Sequence, residues 1–141
     1  MLNKIFGMLS EKKMVPVGIV VGELHDAWKR NSIEEIIWDF ELEAKKSEFF
    51  LDYVKRQFVD GKLQIDVEEL EIMVNDAFKK ECAGFITNHN RRAFELSKEE
   101  VELWSQTYEQ LDIPSDREYK IDVISGEVFE MVIGGDSDET N

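Results

Sequence analysis

Cysteine occurs once, at Cys82, so no disulfide can form within the chain. Together with the lack of a recognisable secretory signal, this leads us to expect a cytoplasmic location. Proline occurs only at Pro16 and Pro114, and no Pro- or Ser-rich stretch divides the 141 residues. The simplest organisation is one globular domain over residues 1–133 followed by a flexible acidic tail at 134–141. No apolar run approaches the roughly 20 residues that cross a bilayer, so no membrane partner is expected. The only adjacent glycines, Gly134 and Gly135, lie in the tail, so there is no glycine-rich phosphate loop. No GxSxG nucleophile motif occurs either.

Cations are also scarce: 17 Lys and Arg stand against 31 Asp and Glu, a net charge of −14. The negative charge concentrates in residues 33–76 and 95–141, while residues 1–13 and 77–94 are mildly basic. Direct nucleic-acid binding, which depends on neutralising phosphates, is disfavoured. An acidic surface instead suits a basic protein partner.

What is abundant is helical pattern. Ser32–Phe58 carries a capping box in Ser32 and Glu35, acids in its first turn and Lys55 and Arg56 at its end. At about 100° per residue, Ile33, Ile36, Ile37, Phe40, Ala44, Leu51, Val54 and Phe58 form one face, read as the core stripe. Trp38, Leu42, Phe49 and Tyr53 gather nearly opposite, with Glu35 and Glu41 beside them. That second stripe is read either as sandwiched within the monomer or as an exposed binding surface.

Residues 1–13 suggest a short helix with Leu2, Ile5, Phe6 and Leu9 on one side. Pro16–Lys29 is read as a helix on the spacing of Val17, Val20, Val21, Leu24 and Trp28, with a strand over Val15–Val21 as the alternative. Arg30-Asn31 makes the break before Ser32, and Asp60-Gly61-Lys62 forms a turn. Asp66 caps a helix whose stripe runs Val67, Leu70, Val74, Ala77, Phe78, Cys82, Phe85 and His89. Ser97 with Glu100 starts a last helix that ends near Leu111, with Val101, Trp104 and Tyr108 on its apolar face. Residues 118–133 read as a hairpin with a three-residue loop Ile124-Ser125-Gly126, Gly126 left-handed and Lys120 opposite Glu130. The expected fold is therefore α+β and predominantly α: a helical bundle of about four main helices with a C-terminal β-hairpin.

Candidate chemistry is sparse. Glu23, His25 and Asp26 form the tightest polar cluster, but their spacing matches no metal motif, and Glu23 and His25 fall on different helix faces. His89 continues an apolar stripe and is expected to be partly buried and hydrogen-bonded. Cys82 reads as a structural thiol. Glu68 with Glu71, Glu99 with Glu102 and Glu109 with Asp112 have the i,i+3 spacing of magnesium-binding helices, which a chain this acidic produces by chance. We assign no catalytic residue, metal ligand or cofactor.

The chain resembles in type, though through no motif, the small acidic immunity proteins, antitoxins, phage-encoded inhibitors and assembly chaperones. The expected function is a non-enzymatic protein-binding protein. It would present acidic helix faces and the residues Trp38, Leu42, Phe49, Tyr53, Glu35 and Glu41 to a protein partner, or to a second copy in a homodimer. One alternative is a nucleic-acid mimic that occupies the basic groove of a DNA- or RNA-binding protein. Another is a small metal-dependent hydrolase, which requires at least three converging ligands.

Overall fold

The computed structural model describes residues 12–133. The readings placed on residues 1–11 and on the tail lie outside these. The described chain runs β1 (Lys12–Ile19), α1 (Gly22–Arg56), β2 (Phe58–Val59), β3 (Lys62–Leu63), α2 (Val67–Glu81), α3 (Ala83–Leu111), β4 (Tyr119–Ile121) and β5 (Glu127–Ile133). It divides into two compact units, one formed by residues up to Ser32 with those from Glu99 onward, the other by Ile33–Lys98. No helix among the described residues is long and apolar enough to cross a membrane.

In the first unit the strands form an antiparallel sheet in the order β1-β5-β4. Its core is Val20, Leu24, Trp28, Leu103 and Val128, with Trp104, Leu111, Tyr119 and Ile121 packed against it. Burying the Trp28 indole requires an acceptor for its N–H. It donates to Thr107 Oγ1 at 2.9 Å, and the Thr107 hydroxyl donates in turn to the Leu103 carbonyl at 2.7 Å. The Trp28 and Trp104 rings meet edge to face, 5.0 Å apart. His25 lies half-buried with Nε2 2.7 Å from the Val123 carbonyl oxygen, fastening α1 to the loop between β4 and β5.

In the second unit α2 brings Leu70, Val74 and Phe78 against Tyr53 and Phe49 of α1. The β2–β3 ribbon turns on Asp60 and Gly61, both at positive φ (52° and 77°), the backbone that an Asp-Gly hairpin turn requires.

Several expectations need correction. There are three helices among the described residues, not about four. The segment around Val15–Val21 is strand up to Ile19, and the helix begins only at Gly22. β1 is an edge strand, where Pro16 costs no ladder bond to a further neighbour, and a bulge between Pro16 and Gly18 absorbs the irregularity. Arg30-Asn31 does not break the chain: α1 runs through it with Asn31 buried. The Ser32–Glu35 and Ser97–Glu100 patterns are therefore helix-interior. A capping sequence starts a helix only where the preceding residues leave helical geometry, and here no Gly or Pro makes them do so. Asp66 does stand at the start of α2 in extended geometry, but its side chain makes no capping bond. Cys82, off helical geometry at φ −107° and ψ 25°, separates α2 from α3, where the sequence pattern suggests one continuous helix.

The C-terminal hairpin is not a separate cover, because β1 pairs along β5 and makes it the central strand. Its register also differs by one residue, with Tyr119 opposite Glu130 and Lys120 opposite Phe129. Asp122 sets this. Its backbone pairs with Glu127 and Gly126, and its Oδ1 accepts the Ile124 N–H at 3.0 Å, which closes a four-residue loop. The slip puts Val128, not Phe129, on the buried face. Gly126 is left-handed as expected, at φ +83°.

Candidate functional site

The two faces of α1 in the second unit differ in burial: of the two readings of the Trp38 stripe, the packed one matches the structure, while the stripe read as core is largely open. Trp38 lies flat on His89 of α3, with ring centroids 3.9 Å apart, and its indole N–H donates to the His89 carbonyl at 2.7 Å. Phe49 stacks on Tyr53 at 6.0 Å and meets the edge of Phe78 at 5.5 Å. Tyr53 is only 9% exposed. Trp38, Leu42 and Phe49 are half-buried. The aromatic stripe proposed for a partner is thus used largely inside the unit. Glu35 and Glu41 are both exposed, and Glu35 lies beside a cleft that Trp38 and Leu96 also line.

The stripe read as core is the open one. Ile33, Ile36, Ile37, Phe40 and Leu51 are each about half or more exposed, with Phe40 at 70%. Ala44 is exposed as well, while Val54 is half-buried against the Tyr53 cluster. The open residues have a regularity that a core stripe does not need. Ile33, Ile37, Phe40, Ala44 and Leu51 follow the alternating four- and three-residue steps of a coiled-coil seam, with Ser47 at the missing step. That spacing, together with the acids beside it, was the available signal in the sequence. The same stripe fits an ordinary core face equally well, so the spacing alone does not single it out.

Charge borders the seam. Glu34, Glu41 and Glu48 occupy one flank and Glu43 the other, with Lys55 at the far end. Glu34 is held by Arg92, which also bonds Glu95 at 3.2 Å. Glu41, Glu43 and Glu48 are exposed and make no ion pair among the described residues. Two other cations of α1 are engaged elsewhere: Lys45 sits 5.8 Å from the Phe85 ring, and Arg56 covers Tyr53 and meets Asp52 at 3.3 Å.

The other candidates resolve differently. Among the described residues, no group of three or more His, Cys, Asp or Glu side chains is placed to hold a metal ion. His25 is engaged at Val123, in a structural position. Cys82 is half-buried and free. His89 is buried, as expected from its stripe, but its Nε2 has no hydrogen-bond partner.

No family model, curated protein or solved structure matches the chain.

Proposed function

We propose that this is a non-enzymatic protein-binding protein whose open α1 face receives an amphipathic helix with basic flanks. One observation carries the reading: a regular apolar seam from Ile33 to Leu51 stays open to solvent on a chain of net charge −14. Covering such a seam drives helix association, and the side chains that border it select the partner.

The borders favour a basic partner over a second copy. In a parallel pair of identical helices, Glu43 would face Glu48 of the other copy. In an antiparallel pair, the glutamates of one flank, Glu41 and Glu48, would face each other. Like charges there disfavour pairing, whereas Lys or Arg in a partner would complement them. The side chains proposed from sequence keep a supporting role: Trp38, Phe49 and Tyr53 hold the helix against its unit, and Glu41 borders the seam.

The test uses two synthetic helical peptides with the same Leu seam, one flanked by Lys and one by Glu. Calorimetric titration should find saturable binding of the Lys peptide that weakens steeply with salt, with the Glu peptide at least about tenfold weaker. An Ile37→Ser/Phe40→Ser variant should remain folded and lose the binding. Equal binding of both peptides, or a wild-type dimer that the double variant dissolves, would overturn the proposal.

A further inference from the structure

We propose that a second site, a cleft on the opposite side of α1 from the seam, binds a small organic carboxylate with a flat apolar body. The cleft has a volume of about 450 Å³ and lies wholly within the second unit. Trp38, Leu42, Phe78 and Ile86 give it apolar walls, and Lys46 and Lys79 are among its polar residues. Its size falls in the range of small-molecule sites, and this mix of apolar wall and a few polar groups is their usual make-up.

One observation points to an anion, and a second, independent one to a polar ligand atom in this cleft. First, both lysines are exposed and neither is ion-paired among the described residues, although the chain carries 31 acids. A cationic ligand would be repelled here, and an anionic one attracted. Second, His89 lines the cleft, is 7% exposed, and carries the only buried side-chain nitrogen or oxygen without a hydrogen-bond partner among the described residues. Buried polar groups in folded proteins are almost always satisfied, so an orphan beside a cleft marks a place for a ligand atom or a bound water.

Stacking on both neighbours fixes the ring's orientation. Trp38 lies parallel to it at 3.9 Å, and Phe85 stacks on it at 5.5 Å. With the imidazole fixed in this stack, Nε2 has a defined direction; in the tautomer that carries its proton there it donates to a carboxylate oxygen while the lysines balance the charge. Nε2 itself is buried, so a ligand oxygen reaches it only when a side chain lining the cleft moves.

The experiment is a titration of the full chain with 4-phenylbutyrate, and in parallel with 4-phenylbutan-1-ol and 4-phenylbutylamine, read by the ¹⁵N resonances of the His89 ring. The carboxylate should shift Nε2 saturably. The alcohol should bind at least about tenfold more weakly, and the amine not at all. A Lys46→Gln/Lys79→Gln variant, changed only at exposed positions, should lose affinity for the carboxylate while keeping the His89 ring signals of the free protein. The proposal is overturned if the carboxylate and alcohol bind equally. It is equally overturned if no probe saturates in the millimolar range while Nε2 already shows the shift of a water-bonded nitrogen.

Discussion

Replacing Phe40 by Ala separates the two faces of α1 by magnitude. Fully burying a Phe side chain is worth up to about 3 kcal/mol. Phe40 is 70% exposed, so folding gains at most about 0.9 kcal/mol from it. Alanine returns roughly 0.5 kcal/mol through its higher helix propensity, which leaves a net change within about 0.5 kcal/mol. The contrasting change is Tyr53→Ala. Tyr53 is 9% exposed and stacked on Phe49, and its loss opens a cavity costing about 3–5 kcal/mol. In urea, with a slope of about 2 kcal/mol per M, Tyr53→Ala should lower the unfolding midpoint by roughly 1.5–2.5 M and Phe40→Ala by less than about 0.3 M. The Phe40 surface still open to solvent is worth about 2 kcal/mol when covered, so Phe40→Ala should weaken the Lys-flanked peptide roughly 30-fold. Both changes are read from equilibrium unfolding by circular dichroism and from calorimetric titration. A Phe40→Ala protein destabilised as much as Tyr53→Ala would refute the assignment of the faces.

Three further outcomes follow from the first unit. Thr107→Val keeps the shape of a fully buried side chain but leaves the Trp28 N–H without its acceptor, and should cost about 1–3 kcal/mol in urea unfolding. Trp28→Phe should reduce that cost in a double-mutant cycle. Gly126→Ala places a Cβ 2.8 Å from the Val20 carbonyl oxygen at a φ of +83°, and should lose about 1–3 kcal/mol. Burial, and then the charge of Glu130, pushes the Tyr119 phenol above its ordinary value near 10. Its contribution to stability is present below about pH 10 and is lost as pH rises through the higher folded value. The urea midpoint should therefore fall more steeply above pH 10 in the wild type than in Tyr119→Phe.

Local chemistry was legible in the sequence where a residue type has one strong backbone preference. Asp60-Gly61 made its turn, Gly126 took the left-handed position, Asp66 stood at a helix start, and the last helix ended at Leu111. What was not legible depended on partners distant in sequence. Val15–Val21 has both strand composition and helical spacing, and it became strand because β5 pairs with it. The hairpin register turned on the Asp122 side chain and on which residue of β5 meets the core.

The faces of α1 illustrate the same limit. Both are apolar, so hydrophobic periodicity could not say which one the fold covers. The choice follows from what α2 and α3 present. The Trp38 indole needs an acceptor and finds one in His89, and Phe49 and Tyr53 find Phe78 and Val74. Ile33, Ile37 and Phe40 need nothing polar, and they are left outside.

The account stands most directly on which side of α1 meets solvent. In a Cys82→Ser background, Phe40→Cys and Phe49→Cys each place one thiol on one face, and their rates of reaction with an aromatic disulfide reagent can be compared in the folded protein. The account predicts that the thiol at position 40 reacts nearly as fast as in urea and is protected by the Lys-flanked peptide, while that at position 49 reacts slowly with or without it. A slow thiol at 40 and a fast one at 49 would contradict it.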